Sequence, residues 1–138
     1  MNKIDDILII NTGGTFSKVY DEVKGKLTIP KSSKNLKTII SKAFKSKIKI
    51  KGMIYKDSLE FTNKHREKLY LAIQKSKYNK IIIIHGTDTM DISAKYISEK
   101  ISNKTIIFTG AMMPVSIQAT EGISNLSMAI GFLNAPYI

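Results

Sequence analysis

Residues 81–90 read Ile-Ile-Ile-Ile-His-Gly-Thr-Asp-Thr-Met. Four isoleucines in a row have no alternation, so no face of Ile81–His85 is left for water. Such a block is the signature of a strand buried on both sides, as in a parallel sheet covered by helices. The residues after it are small, hydroxylated and acidic, and they lead into a helical period at Met90, Ala94, Ile97 and Ile101. One strand, one short polar loop and one helix therefore lie within 21 residues.

The same grammar recurs outward from this stretch. Ile7–Asn11 (ILIIN), Lys47–Ile54 (KIKIKGMI) and Thr105–Thr109 (TIIFT) are further strand candidates. A fifth, split element has arms at Phe16–Tyr20 and Lys26–Ile29 around Asp21–Gly25, a hairpin signal. Leu36, Ile39, Ile40, Ala43 and Phe44 form a helical stripe behind Ser33. Leu69, Ala72 and Ile73 form one behind Thr62, and both Ser33 and Thr62 are N-cap candidates. Ile123, Leu126, Ile130 and Leu133 form the last stripe, which Pro136 ends. Tyr137-Ile138 reads as the first step of another strand. Strands alternating with helices predict an α/β fold: an open, mainly parallel sheet with flanking helices and a β-hairpin flap after the first strand. The expected organisation is one domain over residues 1–138, stopped before its last strand or strands.

Composition narrows the function classes. Hydrophobic residues make up 43% of 138, enough for a core. The longest apolar run is far too short to span a bilayer, and acids in MNKIDDILII argue against a signal peptide. Cysteine is absent, which excludes disulfides and thiolate chemistry and fits a cytoplasmic protein. The net charge of +11 invites a nucleic-acid partner, but only Arg66 among 22 basic residues is an arginine. Scattered lysines without arginine forks read as a solvated surface instead.

In an open α/β sheet, ligands bind beyond the carboxyl ends of the strands. Four successive strands end there in Thr12-Gly13-Gly14-Thr15, Asp57-Ser58, Gly86-Thr87-Asp88-Thr89 and Gly110-Ala111-Met112. Each has a plain reading: a glycine turn, a loop, a helix cap, another turn. His85 reads as a structural strand-end histidine, and His65 as exposed. Taken together, the loops offer a nucleophilic hydroxyl, a second hydroxyl and a carboxylate for an ammonium. Neither phosphate-loop motif is present, no Cys/His cluster offers a metal site, and no Ser-His-Asp set is apparent.

These residues resemble a known family. Thr12-Gly13-Gly14-Thr15-Phe16 is similar to the first signature of the bacterial L-asparaginases. His85-Gly86-Thr87-Asp88-Thr89-Met90 looks like their second. Asp57-Ser58, and Thr109–Pro114 followed by Glu121-Gly122 and Asn125-Leu126, resemble further family segments. The resemblance runs from about Ile7 to Leu133. It implies hydrolysis of L-asparagine to L-aspartate and ammonia without a cofactor. Thr15 would then be the nucleophile that forms a β-aspartyl enzyme, and Thr87 part of the group that activates nucleophile or water. Tyr20 is the candidate for the flap tyrosine. Asp88 would hold the substrate's α-ammonium and Ser58 its α-carboxylate, with Asp57 and Gly86 also lining the substrate site. Family likeness implies a homodimer or homotetramer. The chain departs from the pattern at Leu59 and at Glu121, where an aspartate is usual. The family's catalytic lysine and smaller C-terminal domain correspond to sequence beyond Ile138. Two other readings stay open: a catalytically weak asparagine- or aspartate-binding module, and an amidotransferase subunit with an asparaginase-like domain.

Overall fold

Strand β1 (Ile7–Gly13) is the centre of the molecule, and its seven residues are all buried. It pairs in parallel with β4 (Lys49–Lys56) on one side and with β5 (Lys80–Ile84) on the other. β5 pairs in parallel with β6 (Thr105–Thr109), giving the order β4-β1-β5-β6. A separate antiparallel ribbon, β2 (Val19–Asp21) with β3 (Lys26–Thr28), follows β1. This computed structural model describes residues 3–136. The expected strand at Tyr137-Ile138 lies outside the described residues.

The isoleucine blocks are explained by cover on both faces. Ile7, Ile9, Ile50, Ile82 and Ile84 pack with Leu36 and Ile40 of α1 (Lys34–Phe44) and Leu126, Ile130 and Leu133 of α4 (Thr120–Leu133). Leu8, Ile10, Ile81 and Ile83 pack with Leu69 and Ile73 of α2 (Asn63–Lys75) and Ile97 of α3 (Met90–Ser98). Alternate residues of one strand thus feed two cores, because the side-chain period of a strand is two. The sequence-predicted α/β class, parallel sheet, flanking helices and hairpin are the architecture observed.

Several local expectations change. Phe16 is not in the hairpin: Thr15–Ser17 form a 3-10 turn, and Phe16 is fully buried in the α1/α4 core. The hairpin starts at Val19 instead. Lys47 and Ile48 precede β4, which runs on to Lys56, and Ile101 lies beyond α3. Ser33 occupies the N-cap position of α1, but its hydroxyl accepts from Asn11 Nδ2 at 3.1 Å and makes no capping bond. His65 is half-buried rather than exposed, because its Nδ1 accepts the Thr62 backbone N–H at 2.9 Å at the start of α2.

Candidate active site

The strand order reverses between β1 and β5, which is where an open α/β sheet places its ligand crevice, beyond the carboxyl ends of the strands. Close backbone contact defines its floor. Gly14 has φ +77°, and a Cβ there would lie 2.5 Å from the Gly86 nitrogen. The loop carrying Thr15 therefore rests directly on the loop carrying Thr87 and Asp88. Gly86 in turn faces Ser58, whose N and Oγ a Cβ would approach to 2.9 Å. Three strand-end loops meet at two glycines.

Side chains lock this stack. Thr12 Oγ1 donates to the Ile84 carbonyl at 2.6 Å, tying β1 to β5 at their exits. Asn11 Oδ1 accepts from the Gly13 N–H at 3.0 Å and from Ser17 Oγ at 2.8 Å, folding the turn that presents Thr15. The Gly14 N–H donates to the Lys56 carbonyl at 3.0 Å. Ser58 Oγ accepts the Thr89 N–H at 3.1 Å, and Thr89 Oγ1 donates to the Ser58 carbonyl at 2.8 Å.

The sequence-predicted residues fall into two groups. Thr15 is half-buried, and its hydroxyl has no hydrogen-bond partner among the described residues. Gly86 is buried, while Thr87 and Asp88 are exposed. Thr87 Oγ1 donates to Met112 Sδ at 3.7 Å, a contact from the β6 loop. Ser58 is buried, only 1% exposed. Two residues stand apart. Asp57 is engaged by Lys18, with Nζ 3.5 Å from Oδ1. Tyr20 is 59% exposed on β2 and makes no hydrogen bond to Thr15.

The fourth loop is braced by Glu121 and Asn125. Glu121 Oε1 accepts the Met112 and Met113 N–H groups, each at 3.0 Å, from the first turn of α4. Asn125 Nδ2 donates to the Gly110 carbonyl at 2.9 Å. Ser116 Oγ donates to the Lys18 carbonyl at 2.7 Å, so this loop also holds the segment after Thr15.

With this geometry in place, comparison with known proteins is direct. The family model of the asparaginase N-terminal domain matches residues 6–137. The chain belongs to that family. An L-asparaginase from Thermococcus kodakarensis is 25% identical over 130 residues, covering 91% of this chain and 40% of that protein. A human 60 kDa lysophospholipase is 39% identical over 56 residues, which cover 39% of this chain and 10% of that protein. The chain thus spans well under half the length of these relatives. Among solved structures, the thermostable L-asparaginase from Thermococcus kodakarensis superposes with a TM-score of 0.78 at 23% identity, over 93% of this chain and 40% of that one. A probable cytoplasmic L-asparaginase from Campylobacter jejuni superposes with a TM-score of 0.73 at 25% identity, over 94% of this chain and 42% of that one.

The structure also engages residues that the sequence did not place at the site. Lys18 is one, since it engages Asp57, but a lysine in so lysine-rich a chain gives no signal. Arg66 is another: it is buried on α2, donates from Nε to Ser93 Oγ at 2.9 Å, and Nη1 reaches Asn63 Oδ1 at 3.2 Å. Being the chain's one arginine was its signal. No group of three or more potential metal-ligating side chains occurs among the described residues. No helix there is long and apolar enough to cross a membrane.

Proposed function

We propose that this chain is the nucleophile-bearing domain of an asparagine amidohydrolase that works in the cytoplasm as a homo-oligomer. The residues act as one domain. The observation that carries the reading is the Gly14–Gly86 contact, which sets the Thr15 loop against Thr87 and Asp88 at the point where the strand order reverses.

In this reading Thr15 Oγ attacks the side-chain carbonyl carbon of L-asparagine. The C=O electrons move to oxygen, and the backbone N–H of Thr87 donates to the oxyanion that forms. Collapse breaks the C–N bond. Ammonia leaves with the proton from the threonine hydroxyl, and a β-aspartyl ester remains on Thr15. Water then attacks the ester, releasing L-aspartate and returning the proton to Thr15 Oγ. Thr87 Oγ1 hands protons between these groups and water. Asp88, which is exposed, pairs with the substrate α-ammonium. Ser58 Oγ accepts from Thr89 and still has its own proton to donate to the α-carboxylate.

Thr15→Ala tests the assignment. The variant should keep its thermal transition and lose ammonia release from L-asparagine to the buffer background. Retention of most of the ammonia release would remove Thr15 from the role of nucleophile.

A further inference from the structure

His85 lies beneath the crevice, 1% exposed, and the proposed amide hydrolysis does not use it. Its Nδ1 is 2.7 Å from the Gly86 carbonyl oxygen, and its Nε2 is 2.8 Å from Ser93 Oγ. A carbonyl only accepts, so Nδ1 carries the proton. In the neutral ring Nε2 is then an acceptor, and the Ser93 hydroxyl must donate to it. Ser93 Oγ keeps its lone pairs for the Arg66 Nε–H at 2.9 Å. Every link therefore runs one way: Arg66 to Ser93 to His85 to Gly86. The ring is clamped by Phe61, with centroids 4.5 Å apart, and by Phe108 at 5.8 Å.

We propose that His85 is a positioning residue, which by gripping the Gly86 carbonyl aims the Thr87 N–H into the crevice. The Gly86 C=O and the Thr87 N–H belong to one peptide plane. That peptide is trans, as are the others among the described residues, so the two point in opposite directions. Fixing the oxygen toward the buried imidazole fixes the hydrogen away from it. Gly86 alone would not hold this plane, since glycine rotates more freely than any other residue. Arg66 gives the chain its polarity. It is buried, and the ion pair present among the described residues is Lys18–Asp57, not one of its own. A buried cation without a carboxylate is costly, and here its donors begin a chain in which each bond polarises the next. Polarising the Gly86 carbonyl also makes the attached Thr87 N–H a better donor.

This inference rests on the proposed function for its kinetic consequence but not for its geometry, and the test separates the two. His85→Asn retains an amide N–H where Nδ1 sits, whereas His85→Gln carries it where Nε2 sits. His85→Gln should lower kcat for asparagine by about 10²-fold, as loss of an oxyanion donor does, with aspartate affinity within about threefold. His85→Asn should recover most of that rate. Independently of turnover, the Thr87 amide resonance should be displaced in His85→Gln and return near its original position in His85→Asn. Should His85→Gln not fold, Ser93→Ala serves instead. Losing the donor to Nε2 should shift the imidazole nitrogen resonances toward a mixture of tautomers and displace Thr87 in the same way. These Thr87 shifts in a parent chain without ammonia release would still support the positioning role. A Thr87 amide unmoved by His85→Gln and Ser93→Ala, or moved alike by His85→Gln and His85→Asn, would overturn it.

Discussion

Asp88 and His85 stand one on each side of Gly86-Thr87, and water decides how each behaves. Asp88 is exposed, so its charge is free and its value to a bound ammonium is limited by solvent screening. Asp88→Ala should weaken aspartate binding about 5-fold, the loss of an exposed ion pair worth at most about 1 kcal/mol. Titration calorimetry checks this, and a dissociation constant unchanged within twofold would remove Asp88 from the ammonium site. His85 is the opposite case. Burial pushes its pKa below the ordinary 6.5; the bond to the Gly86 carbonyl opposes that shift, and nearby Arg66 adds to it. His65 is lowered too, first by desolvation and then by Lys56, Lys68 and Arg66. A histidine whose pKa is lowered by folding binds its proton more readily in the unfolded chain. Its contribution to stability is present above 6.5 and is lost as pH falls through the folded-state value. The urea midpoint should therefore drop between pH 7.5 and pH 5. His65→Gln should shrink that drop, because it removes the titrating ring while a glutamine side chain can still accept the Thr62 backbone N–H. A drop undiminished in this variant would show that other groups carry the acid sensitivity.

At the scale of elements, two glycines set how closely strand-end loops can approach. Gly14→Ala would place a methyl 2.5 Å from the Gly86 nitrogen and force a side chain onto φ +77°. With ψ at −179° this backbone lies in a region essentially confined to glycine, strain there costs of order 1–3 kcal/mol, and the overlap is with backbone, which cannot swing aside. Gly25→Ala is the matched control: its φ is +65°, but nothing lies within 4 Å of the added carbon. Urea melts of the pair should show Gly14→Ala losing clearly more stability, and equal losses would mean that the loops part easily. The sequence showed that TGGT and HGTDT each follow a strand, but it could not show that Gly14 touches Gly86, because pairing order is a property of the whole sheet. Buried blocks such as Ile81–Ile84 were legible because their period admits one environment. Phe16 was not: one aromatic between two polar residues fits a strand as well as a 3-10 turn, and only the core cluster around it decides. Ser33 misled in a similar way, since a serine before a helix is the usual cap signal and nothing local reveals Asn11 as its partner. The Arg66–Ser93–His85 chain joins three elements, and no spacing within one helix or strand encodes it.

Over the whole molecule, the two outer strands of the sheet among the described residues differ in character. The β4 edge carries Lys49, Lys51 and Lys56, and Lys75 and Lys77 line the groove of about 380 Å³ beside it. Charged lysines along an edge are the common device against strand-to-strand association. That accounts for part of the +11 charge without a nucleic-acid partner. The β6 edge has no such guard. Its residues are Thr105-Ile106-Ile107-Phe108-Thr109, and beside it lies a groove of about 560 Å³ lined by Ala94, Phe108, Met128 and Phe132. Met128 is 67% and Phe132 59% exposed on α4. An uncharged strand edge next to an apolar helix face is an adhesive surface in water. Two copies can cover it at once by pairing β6 with β6 about a twofold axis, since each then supplies both the edge and the groove. The 138-residue chain should therefore sediment as a dimer or larger species at micromolar concentration. Phe132→Glu puts charge on that face without disturbing the core, because the ring is mostly in solvent in the monomer. It should shift the population to monomer while leaving the thermal transition of the monomer intact. The β4-edge variant Lys51→Ala should not do so. Sedimentation velocity on the three proteins decides the matter: a clean monomer of the parent chain at micromolar concentration, or a Phe132→Glu protein that still dimerises, would place the contact elsewhere or abolish it.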